Sequence, residues 1–76
     1  MNKARRKALE DLASQLGDIL AELEALRDEE QEYFDNMPES LQGGDKGSDA
    51  EQAIDSMNSA LDSLEAAIAH VDEAAV

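Results

Sequence analysis

The chain has one place to turn. Residues 36–49 hold its only proline, Pro38, and three of its four glycines, Gly43, Gly44 and Gly47. Long segments with helical periodicity lie on both sides. Two such segments around a single break describe a helical hairpin. The expected fold is all-α: a two-helix antiparallel coiled-coil hairpin, with helix 1 over about residues 3–36, a turn at 37–48 and helix 2 over about 49–75.

In the first segment Leu9, Leu12, Leu16, Ile19, Leu23 and Leu26 are spaced 3, 4, 3, 4, 3. That is a heptad seam, the pattern of helices packed at coiled-coil angles. Continued, it reaches Glu30, Tyr33 and Met37. The second segment repeats the pattern with Ala50, Ile54, Met57, Leu61, Leu64, Ile68, Val71 and Ala75. Folding about the turn sets Tyr33 near Ile54, Leu26 near Leu61, Leu23 near Leu64 and Ile19 near Ile68. Glu30 is the polar exception on the seam, expected to reach water from the hairpin edge, the alternative being a polar residue that fixes register at a cost in stability. Gly17 inside helix 1 costs about 1 kcal/mol against alanine. It marks either a close backbone approach or a tolerated glycine.

Apolar residues beside the seams call for a further partner. Leu20 and Phe34 flank the first seam. Ala53, Ala60, Ala67 and Ala74 recur every seven residues beside the second. A small residue at a constant heptad position lets another helix approach closely, although alanine is also the best helix former. A chain of 76 residues buries only about 60% of its unfolded surface and is marginal alone. It has no cysteine with which to staple itself, so association is the remaining route. Leu20, Phe34, Ala53, Ala60 and Ala67 are therefore the expected oligomer interface, and two hairpins forming a four-helix bundle is the expected assembly, with a monomeric hairpin that offers this face to another protein as the competing option.

The turn has its own signals. Met37 precedes proline and is biased away from helix, so helix 1 should stop near Asn36. Pro38 is suited to open a single helical turn through Gln42, with Leu41 folded over Phe34 and Ile54 as a lid. Ser48 and Glu51 fit a capping box, which would start helix 2 at Asp49.

Charge limits the partners. The net charge is −13, from nineteen acids against six bases, and four of the bases, Lys3, Arg5, Arg6 and Lys7, lie in the first seven residues. Those four sit at the unfavourable, positive end of helix 1. Asp72 and Glu73 of helix 2 are expected beside them. The remainder repels nucleic acid and anionic membrane and attracts basic protein surfaces. Asp28, Glu29, Glu32 and Asp35 form the densest acidic stretch and are the expected partner-binding face. A helix of this length is ~50 Å long. Two overlapped copies would carry −26, about one charge per 2 Å, against one per ~1.7 Å in duplex DNA. That density permits charge mimicry of nucleic acid. No apolar run approaches the ~20 residues of a membrane span, and no apolar stretch follows the basic start as a secretory signal requires. A cytoplasmic setting without membrane or direct nucleic-acid contact is expected.

The residues for catalysis and metal binding are missing in any workable pattern. The one histidine, His70, has Ala67 three residues before it, where a carboxylate-bridged metal site in a bundle needs glutamate. The segment Asp45-Lys46-Gly47-Ser48-Asp49 lacks calcium-loop spacing. The glycines, lysine and serine of Gly43-Gly44-Asp45-Lys46-Gly47-Ser48 are not in phosphate-loop order. No enzyme activity, metal or cofactor is expected.

The stretch Arg27-Asp28-Glu29-Glu30-Gln31-Glu32-Tyr33-Phe34-Asp35-Asn36-Met37-Pro38-Glu39-Ser40-Leu41-Gln42, then Gly47 and an acidic alanine-rich helix, resembles short uncharacterised acidic helical-hairpin proteins of phages and Gram-positive prophages. The resemblance covers about forty per cent of the chain and omits the basic head. It implies a phage or bacterial setting and carries no catalytic residues. The expected role is a non-enzymatic acidic protein-interaction module, such as a phage-type inhibitor of a host nucleic-acid-binding or defence protein. The alternative is a structural oligomerisation or phage assembly protein.

Overall fold

A computed structural model describes all residues from Met1 to Val76. The chain has helices and no strand: α1 spans Lys3–Asp35, α2 Glu39–Gln42 and α3 Asp45–Ala74. Helices α1 and α3 pack along each other as a hairpin, with α2 resting on the start of α3. The result is a rod of 59 × 14 × 12 Å.

Helix α1 begins at a cap that the sequence reading passed over. Asn2 is extended, and its side-chain oxygen accepts a 2.7 Å hydrogen bond from the Arg5 amide. This satisfies one of the free N–H groups at the helix start. The helix stops one residue from the expected place, before Pro38. The Asn36 and Met37 amides turn back to Glu32 and Phe34 carbonyls at 3.0 and 3.1 Å.

The turn is hydrogen-bonded throughout. Leu41 and Gln42 amides donate to the Pro38 carbonyl, and Gly44 donates to Leu41. Pro38 is the N-cap of α2, so the helix begins at Glu39, one residue later than expected. Leu41 is not the lid: it is 52% exposed. The hairpin end is closed by Gln42, whose side-chain amide donates to the Phe34 carbonyl at 3.1 Å.

Helix α3 starts four residues before the expected Asp49. Its N-cap is Gly44, which offers no side-chain bond. Ser48 is therefore inside the first turn, where its amide already donates to the Gly44 carbonyl at 2.9 Å. It caps nothing. The early start follows from Gly47, which is buried in α3. A Cβ there would overlap the Gln42 backbone, so only glycine lets the end of α2 lie against α3. Gly17 has nothing within 4 Å of an added Cβ and is simply tolerated within the chain.

The core is thin. Ala50, Ile54 and Leu61 are its only buried hydrophobic residues. Two large buried side chains contribute about 3–6 kcal/mol. The pairing level agrees with the sequence reading, because Phe34 and Ile54 share one depression and Arg27 bonds Asn58. The rotation of α1 does not. Its partly buried residues are Leu9, Leu16, Leu23 and Glu30 in one heptad column, Arg6, Ala13, Leu20, Arg27 and Phe34 in the next, and Gly17, Glu24 and Gln31 in a third. Leu12, Ile19, Leu26 and Tyr33, expected on the seam against α3, are 50, 49, 56 and 50% exposed. Adjacent heptad columns lie about 50° apart around a helix. The apolar face of α1 is three columns wide, and a single neighbouring helix covers only two of them.

Candidate interaction surfaces

The Arg27–Asn58 bond identifies the two edges of the hairpin. It ties the Ala13–Phe34 column of α1 to the column of Glu51, Asn58, Glu65 and Asp72 on α3. This edge is polar. Its shallow depression of about 180 Å³, lined by Gln31, Phe34, Glu51, Ile54 and Asp55, is smaller than a typical small-molecule site of about 300–1,000 Å³.

The opposite edge is apolar. On α1 it carries the half-exposed column Leu12, Ile19, Leu26 and Tyr33. On α3 the columns beyond Ile54 and Leu61, away from Asn58, are Met57, Leu64 and Val71, and then Ala53, Ala60, Ala67 and Ala74. Because the two helices run in opposite directions, these columns come out on the same side. Met57, Leu64 and Val71 are partly buried and form its floor, while Ala60 and Ala74 are exposed along its border. The hairpin thus has one open apolar face along its length.

The expected oligomer residues are split by this geometry. Ala53, Ala60 and Ala67 border the open face. Leu20 and Phe34 do not: both are partly buried, and Phe34 lies beside Ile54 on the polar edge. Their place on the open face is taken by Leu12, Ile19, Leu26 and Tyr33. The signal was in the sequence as a second possible phase for the same heptads.

The expected acidic face is on the outside of α1. Asp28, Glu29, Glu32 and Asp35 are all exposed. Asp28 lies 3.0 Å from Arg27 Nε, and Asp35 accepts a 2.9 Å bond from Gln31. Glu29 and Glu32 have no cationic partner within 4.0 Å. Charge is graded along the rod. Residues 26–59, the turn end, hold ten acids against Arg27 and Lys46, a net −8. Residues 1–14 and 72–76, the head end, hold four acids against four bases.

The bases of the head do not meet the acids expected beside them. Lys7 pairs within its own helix with Asp11 at 3.2 Å, and Glu73 lies 3.7 Å from His70. No ion pair joins Arg5, Arg6 or Lys7 to Asp72 or Glu73. Arg6 donates to the Met1 carbonyl at 3.4 Å, and its Nε is buried without an acceptor. Arg5 continues the exposed column of Leu12, seven residues earlier, at one end of the open face.

No three His, Asp or Glu side chains converge as a metal site would require. No helix is long and apolar enough to cross a membrane. Compared with known proteins, the chain matches no family model, no curated protein and no solved structure.

Proposed function

We propose that the chain is a non-enzymatic protein-interaction module. Two copies pair through their open apolar faces as a four-helix bundle, which presents an acidic outer surface to a basic partner protein. The observation that carries this reading is the half-exposed column Leu12, Ile19, Leu26 and Tyr33, on the same side as the alanine column. Covering the exposed half of four such side chains is worth about 3–6 kcal/mol per copy, comparable with the whole buried core. A helix that keeps one apolar stripe for its neighbour and shows another to water is built for two contacts.

The partner side rests on Asp28, Glu29, Glu32 and Asp35 and on the −8 turn end. The outer acids are solvated and lie away from both apolar faces, so they are free for a second protein. Within the phage setting that the resemblance implies, the partner is a host nucleic-acid-binding or defence protein whose basic groove accepts DNA-like charge.

Sedimentation equilibrium tests the pairing. The proposal requires a species of twice 8.2 kDa at micromolar concentration, and its loss in Leu26→Glu, where a charge is forced into the contact. A wild-type protein that stays at 8.2 kDa would refute it. For the partner, wild type and the Asp28→Asn, Glu29→Gln, Glu32→Gln triple variant are compared as baits in lysate of phage-infected host cells. A basic protein held by wild type, released by salt and lost in the folded triple variant supports the acidic-face reading. Retention of phage structural proteins by both baits supports an assembly role instead.

A further inference from the structure

We propose that the two copies associate head to turn, so that the basic head of each lies beside the acidic turn end of the other; this rests on the pairing proposed above. Two flat faces can be joined by a two-fold axis in two ways. If the axis runs along the rod, both turns come to the same end. If it crosses the rod through the two α1 helices and the two α3 helices, the turns come to opposite ends. Both arrangements keep adjacent helices antiparallel, and both bury the same apolar columns.

Charge separates them. With turns together, one end of the bundle holds two copies of the −8 segment, a net −16, while the other end holds two heads whose four bases and four acids already balance. With head to turn, each end carries −8, and each head lies against unpaired acids. Like charges gathered at one end oppose association, and interspersed charges favour it. Arg5 is placed for this role, because its column leads directly into the contact. The pairing level of Arg27 with Asn58 sets the middle of the Leu12–Tyr33 column opposite the middle of the Ala53–Ala74 column. One crossing axis therefore serves both. It sets Ile19 against the second copy's Leu26, Leu12 against its Tyr33, and Ala60 against its Ala67. Alanine then meets alanine along the α3 pair, where small side chains allow an interaxial distance near the 8 Å end of the usual range. A face of 59 × 14 Å offers on the order of 800 Å² per copy, the area of a standard stable interface.

Absence of native cysteine makes disulfide mapping clean. An affinity-tagged Ile19→Cys chain is mixed with untagged Leu26→Cys and equilibrated in a glutathione redox buffer. A second mixture pairs tagged Ile19→Cys with Ala67→Cys. Circular dichroism confirms that each variant is helical, and sedimentation of the cysteine-free wild type establishes the dimer independently. Head-to-turn pairing requires the Ile19–Leu26 mixed disulfide to exceed the Ile19–Ala67 one by at least tenfold. Dominance of Ile19–Ala67 would overturn the arrangement and leave the dimer intact. A dimeric wild type giving neither product above the random yield also overturns it. A monomeric wild type removes the pairing itself.

Discussion

Arg27 Nη1 donates to Asn58 Oδ1 at 2.9 Å, and this is the one side-chain hydrogen bond between the two long helices. The same guanidinium holds Asp28 through Nε at 3.0 Å. It therefore links an apolar seam, a helix partner and the acidic outer face. Asn58→Ala leaves a part-buried guanidinium group short of an acceptor and should cost about 1–2 kcal/mol. For a chain of this size that lowers Tm by roughly 4–15 °C. Calorimetry checks it. An unchanged Tm would mean that the two helices hold their rotation without the bond.

The rotation of α1 can be tested below the association concentration. Leu20→Ala removes a side chain partly buried in the hairpin and should cost about 1–2 kcal/mol, below the ~2–5 of a fully buried leucine. Ile19→Ala, on the open face, should cost under about 1 kcal/mol there while weakening the proposed dimer. Urea titrations at low and high protein concentration separate the two. Equal costs in dilute protein would place Ile19 back on the seam against α3.

The glycines should respond with opposite signs. Gly47→Ala drives a methyl into the Gln42 backbone and should destabilise by about 1–3 kcal/mol. Gly17→Ala meets open space and should stabilise by up to about 1 kcal/mol through helix propensity. Thermal melts of the pair compare the two directly.

At the helix starts, Asn2→Ala should cost about 1 kcal/mol by removing a real cap. Ser48→Ala should stay within about 0.5 kcal/mol, as for an ordinary surface substitution. A larger effect at Ser48 than at Asn2 would contradict the start of α3 at Asp45.

The hairpin, the place of its turn and the level at which its helices pair were legible because heptad spacing and the Pro38–Gly44 break are local signals. The rotation of α1 was not. Leu12, Ile19, Leu26 and Tyr33 are more apolar than Ala13, Leu20, Arg27 and Phe34, and hydropathy alone turns the first set inward. What orients the helix is specific to its neighbour: Phe34 beside Ile54, and Arg27 on Asn58. The start of α3 was missed because Ser48 and Glu51 have capping-box spacing, while Gly47 reads as a breaker. Its spacing held the correction, since Gly47 stands seven residues before Ile54, in the column of Leu61 and Ile68. The acids of α1 were placed correctly as an outer patch, because no apolar column includes them.

The graded charge of the rod has a consequence for how the molecule meets anything else. A single hairpin, balanced at one tip and carrying −8 at the other, has a large electric dipole moment along its axis. In the field of a basic surface it rotates before contact and arrives tip first, with the Pro38 turn leading. Two hairpins joined head to turn cancel that moment by symmetry, and the pair has no preferred tip. Such a pair meets the same surface broadside, along the flank of α1. Pairing would then set the angle of approach, and dilution alone would switch the encounter from flank to tip.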